Sequence, residues 1–309
     1  MKKTLRALAV LATLPYIGLK AAWIAGSRIG VPEGSVLLDD PGLMAAVNAV
    51  TILMDAGVVV LALLLTQPWG LRVKSWLLGL PAWAATGLLA PIVVGFPAQL
   101  ATAAVAGAET HTAGGRPFLE EWVFSVVYGG FIVQALALGT LFVLYARERW
   151  SHLWAGRIGG LSADLAGRAT RLTAVAGSAV AVVPAALHAL WASGSERGLS
   201  AGRIADRTSD FYVLEGVRVA FLLAAVASVL VLVLRLGRSW RVGTPLAVAW
   251  TCTGAVGCWG GWMLLATLMP ASDPAQEATG WMITSYAGAM ITGFLLAGCL
   301  AVVLRRRGA

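Results

Sequence analysis

Charge is scarce in this chain: 12% of its 309 residues are Asp, Glu, Lys or Arg, while 59% are hydrophobic. A soluble globular domain carries about 25% charged residues, so a water-facing surface over the whole chain is excluded. Cysteine and histidine number three each. Cys252, Cys258 and Cys299 all lie inside apolar runs, which argues against a disulfide-stapled outer domain and against a thiolate zinc site. Cysteines so placed act as small hydrophobes. Only His188 falls within a long apolar run, so a bis-histidine haem cannot form inside the spans of one chain. P-loop, HExxH, GxSxG and CxxC patterns are missing, and with them the support for nucleotide-driven transport and for the commoner hydrolase and redox sites. No cofactor or metal is expected. The net charge of +8 comes without a soluble basic stripe interleaved with stacking aromatics, so a nucleic-acid partner is not expected.

What the chain has is length in its apolar runs. About 20 apolar residues cross a bilayer as a helix, and eight runs qualify, at 5–26, 43–66, 75–96, 122–146, 171–193, 211–234, 244–269 and 281–304. The first could pass for a signal peptide, with Lys2, Lys3 and Arg6 preceding it. Its length and its recurrence later in the chain predict that it stays as the first span.

The recurrence is specific. Leu14-Pro-Tyr-Ile-Gly-Leu-Lys20-Ala-Ala-Trp23-Ile-Ala-Gly-Ser27-Arg-Ile-Gly30 is matched by Val183-Pro-Ala-Ala-Leu-His188-Ala-Leu-Trp191-Ala-Ser-Gly-Ser195-Glu-Arg-Gly198. Aligned on the tryptophans (191 − 23 = 168), Leu19, Lys20, Gly26, Ser27 and Gly30 fall on Leu187, His188, Gly194, Ser195 and Gly198. Trp83-Ala-Ala-Thr-Gly87 matches Trp250-Thr-Cys-Thr-Gly254 at an offset of 167 (250 − 83). Tyr128-Gly-Gly-Phe…Gly139…Arg147-Glu-Arg149 resembles Gly288-Ala-Met…Gly298…Arg305-Arg-Arg307 at an offset near 159 (288 − 129), the drift following from a shorter last loop. An even number of spans per copy makes the copies parallel, related by an axis along the membrane normal. The predicted fold is an all-α membrane protein of eight transmembrane helices in two parallel four-helix repeats. Residues 1–149 form the first repeat, 150–170 a cytoplasmic linker and 171–309 the second.

Lys and Arg accumulate on cytoplasmic segments. Here they gather at residues 1–6, at Arg72 and Lys74, across the linker (Arg147, Arg149, Arg157, Arg168, Arg171), at Arg235, Arg238 and Arg241, and at Arg305–Arg307, with only Glu148 and Asp164 as acids among them. The opposite loops hold most of the acids. Both termini are therefore predicted cytoplasmic, in a cell membrane whose Ala/Gly/Val/Arg-heavy usage suggests a bacterium. The Arg149–Trp154 start of the linker fits either an interfacial segment or a plain loop. The loop at 97–121, with His111, is expected to be small, polar and solvated.

Ionisable groups inside spans are costly and mark functional sites or ion-pair networks. Lys20, Asp55, Glu215 and Arg218 are such groups, joined by Asn48 and His188. With a rise of about 1.5 Å per residue, five of the six lie about 6–11 Å below the outer ends of their helices, and Asp55 lies about 18 Å in. Lys20, Trp23 and Ser27 share one helix face, as do His188, Trp191 and Ser195, and Asn48, Thr51 and Asp55. Under the 167 offset, Asn48 falls on Glu215, Thr51 on Arg218 and Asp55 on Leu222. The six residues are the candidate substrate-binding set, in a polar pocket opening outward between the halves. The function expected from them is binding or translocation of a small polar or charged solute, with Asp55 as a proton-titrating group. The competing structural reading pairs Lys20 with Asp55 and Glu215 with Arg218 inside an accessory, immunity or sensory subunit with a membrane-protein partner. The third is an intramembrane enzyme acting on a lipid or quinone through Glu215 and His188. Gly129-Gly130 and Gly260-Gly261 are expected to admit close helix packing.

Overall fold

A computed structural model of the chain describes residues 1–106, 112–113, 116–117, 119–269 and 273–308; His111 lies outside them. The described chain is almost wholly helical. Its helices are α1 (Lys2–Leu11), α2 (Leu14–Ile24), α3 (Pro41–Leu64), α4 (Ser75–Ala106), α5 (Glu121–Trp154), α6 (Arg168–Val180), α7 (Val182–Ala192), the short α8 (Ala201–Ala205), α9 (Ser209–Leu234), α10 (Gly243–Ala266) and α11 (Gly280–Gly308). A two-residue antiparallel pairing, Thr112–Ala113 with Arg116–Pro117, is the strand structure among the described residues.

Seven helical stretches are long and apolar enough to cross a membrane: α1–α2 together, α3, α4, α5, α6–α7 together, α9 and α11. The run predicted at 244–269 also forms a long helix, the 24-residue α10, but falls short of the others in apolarity. Ten of its residues are buried, from Pro245 to Gly260, against Asp55, Leu61 and Ala62 in the equally long α3. A helix wrapped by other helices presents little surface to lipid, so Gly, Thr and Cys serve it better than Leu by admitting close backbones.

Two predicted boundaries move. α4 runs on to Ala106, into the stretch predicted as an outer loop. α5 continues to Trp154, past the predicted start of the linker, with a kink where Trp150 leaves helical geometry (φ −130°, ψ 26°). The rest of the linker is packed rather than loose: Ile158, Leu161, Leu165 and Ala166 are buried in the same apolar cluster as α9, α10 and α11 residues.

The two matched phrases fold alike, for identifiable reasons. Proline removes the N–H that would bond the carbonyl four residues back. Pro15 and Pro184 sit four residues after Leu11 and Val180, where α1 and α6 end. After the break, α2 and α7 close on the same turn. Trp23 Nε1 donates to the Ile29 carbonyl at 2.8 Å, and Trp191 Nε1 to the Arg197 carbonyl at 2.9 Å. Gly26 and Gly30 (φ +87° and +70°) have counterparts in Gly194 and Gly198 (φ +96° and +82°), a left-handed conformation that glycine adopts without steric cost.

Neighbour relations also match. α1–α2 packs on α3 and α5, and α4 packs on both α3 and α5; α6–α7 packs on α9 and α11, and α10 packs on both α9 and α11. α4 joins the two groups by packing on α10 and α9. At that crossing a Cβ on Gly87 would lie 2.3 Å from the Gly254 carbonyl carbon, and one on Gly254 would lie 3.0 Å from Gly87 Cα. Gly260 similarly abuts the Met290 amide, and Gly130 the Ala12 carbonyl, whereas Gly129 faces open space. Both chain termini lie at one end of the molecule: Lys2 bonds Glu148 at 2.5 Å, and Arg307 bonds the His152 and Ala155 carbonyls. Cys252, Cys258 and Cys299 are free thiols.

Candidate functional site

The six predicted polar residues divide into two clusters and one outlier. On the first-half side, Lys20 of α2 reaches Asp55 of α3 at 2.7 Å, and both side chains are nearly sealed (12% and 8% exposed). Lys20 Nζ also lies 5.0 Å from the centre of the Tyr16 ring, a favourable cation–π distance. Tyr16, one turn earlier on α2, donates its hydroxyl to Gln134 Oε1 of α5 at 3.0 Å. The cluster thus ties three helices and matches charge one to one.

On the second-half side, Glu215 of α9 is fully buried and uses both carboxylate oxygens. Oε2 accepts from His188 Nδ1 of α7, and Oε1 accepts from Arg218 Nη1 at 2.6 Å. With Nδ1 carrying the proton toward the carboxylate, His188 Nε2 is left to accept from the buried Ser285 hydroxyl of α11 at 3.0 Å. The His188 ring stands edge-on to Trp191, centroids 5.3 Å apart. Three helices are joined here as well, through an acid already saturated by protein donors.

Asn48 belongs to neither cluster. Its amide donates to the Met44 carbonyl of its own helix at 2.9 Å, and Thr51 in turn donates to the Asn48 carbonyl. The single polar layer expected from helix depth is therefore two separate networks, with partner choice set by which helices touch rather than by depth alone.

The second network borders an internal space. A cavity of about 210 Å³ lies between α4, α5, α7, α9, α10 and α11, with Arg218 and His188 in its wall. Most of the remaining lining is apolar or aromatic: Phe96, Tyr128, Phe221, Trp259 and Tyr286 are its aromatic members, and Gln99 adds an amide. Tyr128 stacks on Phe96 (centroids 4.9 Å apart, planes 11° from parallel), and Trp259 is fixed by donating Nε1 to the Leu88 carbonyl at 3.0 Å. Arg218 is the one cation in the lining, 24% exposed, and Nη1 to Glu215 is its one hydrogen bond among the described residues. Its Nε and Nη2 donors remain for a ligand. Lys20, Asn48 and Asp55 do not line this cavity. Tyr128, Trp259 and Gln99 were not singled out from the sequence; the one signal was the Tyr128-Gly-Gly-Phe phrase, visible as part of the matching segments but not as a wall.

No group of three or more His, Cys, Asp or Glu side chains among the described residues is arranged to hold a metal ion. Chemically, the cavity offers a fixed guanidinium in an apolar, aromatic chamber. The fold defines a polytopic all-α membrane protein. Compared with protein-family models, with curated proteins and with solved structures, the chain matches none.

Proposed function

We propose that the protein is a duplicated, eight-span cell-membrane protein with both termini cytoplasmic, and that it binds a small organic anion in the cavity beside Arg218 as the recognition step of solute binding or translocation. α10 serves as the eighth span in this reading, with protein neighbours making up for its lower apolarity. Duplication is supported by the paired proline breaks, by the paired tryptophan-to-carbonyl turns, and by Gly87 meeting Gly254, its own counterpart at the 167 offset. A residue that touches its equivalent is the mark of a two-fold contact. The terminal end carries the Lys and Arg excess, which favours the cytoplasm.

One observation carries the binding reading: Arg218 is held at the cavity wall by a buried carboxylate that His188 also holds, while the rest of the chamber is largely apolar. Convergence of one oriented charge with aromatic walls is the usual composition of a small-molecule site. An anionic head on the free guanidinium donors and an apolar body against Tyr128, Trp259 and Tyr286 would satisfy it. Asp55 is assigned a structural part, since Lys20 already matches it. A second reading, an accessory or sensory subunit, draws on that same closed Lys20–Asp55 pair.

The test is a thermal-shift screen of small aromatic and aliphatic carboxylates on the purified protein, followed by calorimetry. A ligand at about a hundred times its Kd stabilises the folded state by about 2.7 kcal/mol. At least one compound is expected to raise the melting temperature of the native chain, and Arg218→Gln and the cavity-filling Val217→Trp are each expected to abolish that rise. A full rise in both variants would overturn the assignment of the cavity, and a flat response across the panel would overturn the organic-anion reading.

A further inference from the structure

A second cavity, of about 640 Å³, opens at the terminal end of the molecule, between the end of α5, the following linker and the start of α10. Arg147, Arg157 and Arg241 line it together with Trp154, Gly156, Gly243 and Thr244, and no acidic residue is among its walls. Its apolar remainder is Val143 of α5 and Ala247 of α10, each one helical turn deeper than the polar rim. The three cations come from three separate segments, so their convergence is a product of the fold.

Their hydrogen bonding leaves them available. Arg157 gives Nη1 to the Ser239 carbonyl at 2.6 Å, which fixes its position, and the side chains of Arg147 and Arg241 make no hydrogen bond or ion pair among the described residues. Other arginines at this end are spent on backbone carbonyls: Arg149 on Gly70 and Val73, Arg235 on Gly159, Arg306 on Asp164. Three like charges around one space, without an acid, repel one another unless an anion enters. The Gly243 and Thr244 amides at the first turn of α10 add two donors that no protein group occupies among the described residues.

We propose that this cavity binds the phosphate headgroup of an anionic phospholipid, with an acyl chain descending along Val143 and Ala247 in the groove between α5 and α10. A free phosphate shares the headgroup chemistry but has no use for the apolar floor. Intermediate Trp154 on the rim suits the same position, since tryptophan favours the headgroup layer. Because α5 belongs to the first half and α10 to the second, the lipid bridges the halves at the end opposite the Arg218 cavity.

The experiment is native mass spectrometry of the delipidated full chain titrated with phosphatidylglycerol, phosphatidylcholine or inorganic phosphate. Phosphatidylglycerol is expected to bind well above phosphatidylcholine. A basic residue near an anionic surface is worth about 1 kcal/mol, so the triple variant Arg147→Gln, Arg157→Gln, Arg241→Gln should bind it on the order of a hundredfold more weakly. Lys3→Gln with Arg6→Gln, at the same end but outside the cavity, should bind as the native chain does, and the triple Arg→Lys variant should keep most of the affinity while controlling for folding. Equal binding by the triple Gln variant, or equal binding of the two lipids, would overturn the proposal. Displacement of phosphatidylglycerol by inorganic phosphate at equal concentration would overturn the lipid assignment in favour of a free-phosphate site.

Discussion

The two halves place a basic side chain at the same position of the same kinked helix, yet they use it differently. Lys20 reaches across to Asp55, while His188, its counterpart, is held by Glu215, whose counterpart Asn48 lies seven residues (55 − 48) before Asp55. Seven residues are about two turns of helix. A long flexible lysine stem spans the distance to a deep acid; a short imidazole needs its acid close by. Where the first half has Asp55 the second has Leu222, a buried apolar residue at the cavity. With Leu222 rather than an acid at that position, the cavity wall stays apolar there, and Arg218 supplies the one charge facing into it. Lys20 and Asp55 form a nearly sealed pair outside that cavity, although Phe96, Gln99 and Tyr128 of α4 and α5 line it. The position of one acid thus distinguishes the Lys20–Asp55 brace from the network beside the candidate site.

The widest break of this comparison should come at Lys20–Asp55. Removing one partner of a buried pair leaves an uncompensated charge and costs about 3–5 kcal/mol. Lys20→Met alone is expected to lower thermal stability in detergent by that order. Lys20→Met with Asp55→Leu, which installs the residue found at 222, should return to within about 1 kcal/mol of the native chain or exceed it. A double variant as unstable as the single one would show that the pair does more than match charge.

Next in size is the crossing that joins the halves. Gly87→Ala drives a Cβ into the Gly254 backbone, and overpacking of this kind costs about 1–3 kcal/mol. Gly129→Ala, where nothing lies within 4 Å, should be neutral or gain up to about 1 kcal/mol from helix propensity. Similar melting temperatures for the two variants would argue against a tight α4–α10 seam.

The smallest effect sharpens the comparison most. Trp83 and Trp250 are counterparts at the 167 offset, as are Thr86 and Thr253. Trp83 Nε1 donates to Thr253 Oγ1 at 3.1 Å, whereas Trp250 Nε1 is buried with no partner among the described residues. The two aligned positions therefore differ at this bond. Trp83→Phe should cost about 1 kcal/mol for the lost bond, and Trp250→Phe should be neutral or slightly stabilising, since it removes an unsatisfied donor. Equal losses, measured by the same thermal unfolding, would mean the mirror bond forms in the membrane.

Much of the fold was legible because helix length is a local property. Helix lengths and the recurrence of the phrases around Trp23 and Trp191 were visible; that Pro15 and Pro184 break their helices, and that both tryptophans close the same turn, emerged with the structure. The eighth run stands apart: α10 carries Gly254, Gly257 and Gly260 at close backbone contacts with α4 and α11, and such small residues lower its apolarity. Of the site, the polar residues were visible because each is an exception in an apolar run, and both Lys20–Asp55 and Glu215–Arg218 could be named as pairs. Their separation into two networks was not visible, since depth fixes height along the membrane normal but leaves rotation about it open.

Amino-acid order alone determined that this chain is a bundle of membrane-length helices, with matching phrases half a chain apart and basic residues massed beside its termini. Those properties follow from hydropathy, backbone sterics and charge, which act over a few residues at a time. Tertiary structure decided that the Glu215 network borders a cavity, that Tyr128 and Trp259 wall it, and that Arg147, Arg157 and Arg241 converge on a second one. Each of those outcomes depends on side chains more than 80 residues apart meeting in space, a matter of helix packing that no short window of sequence encodes.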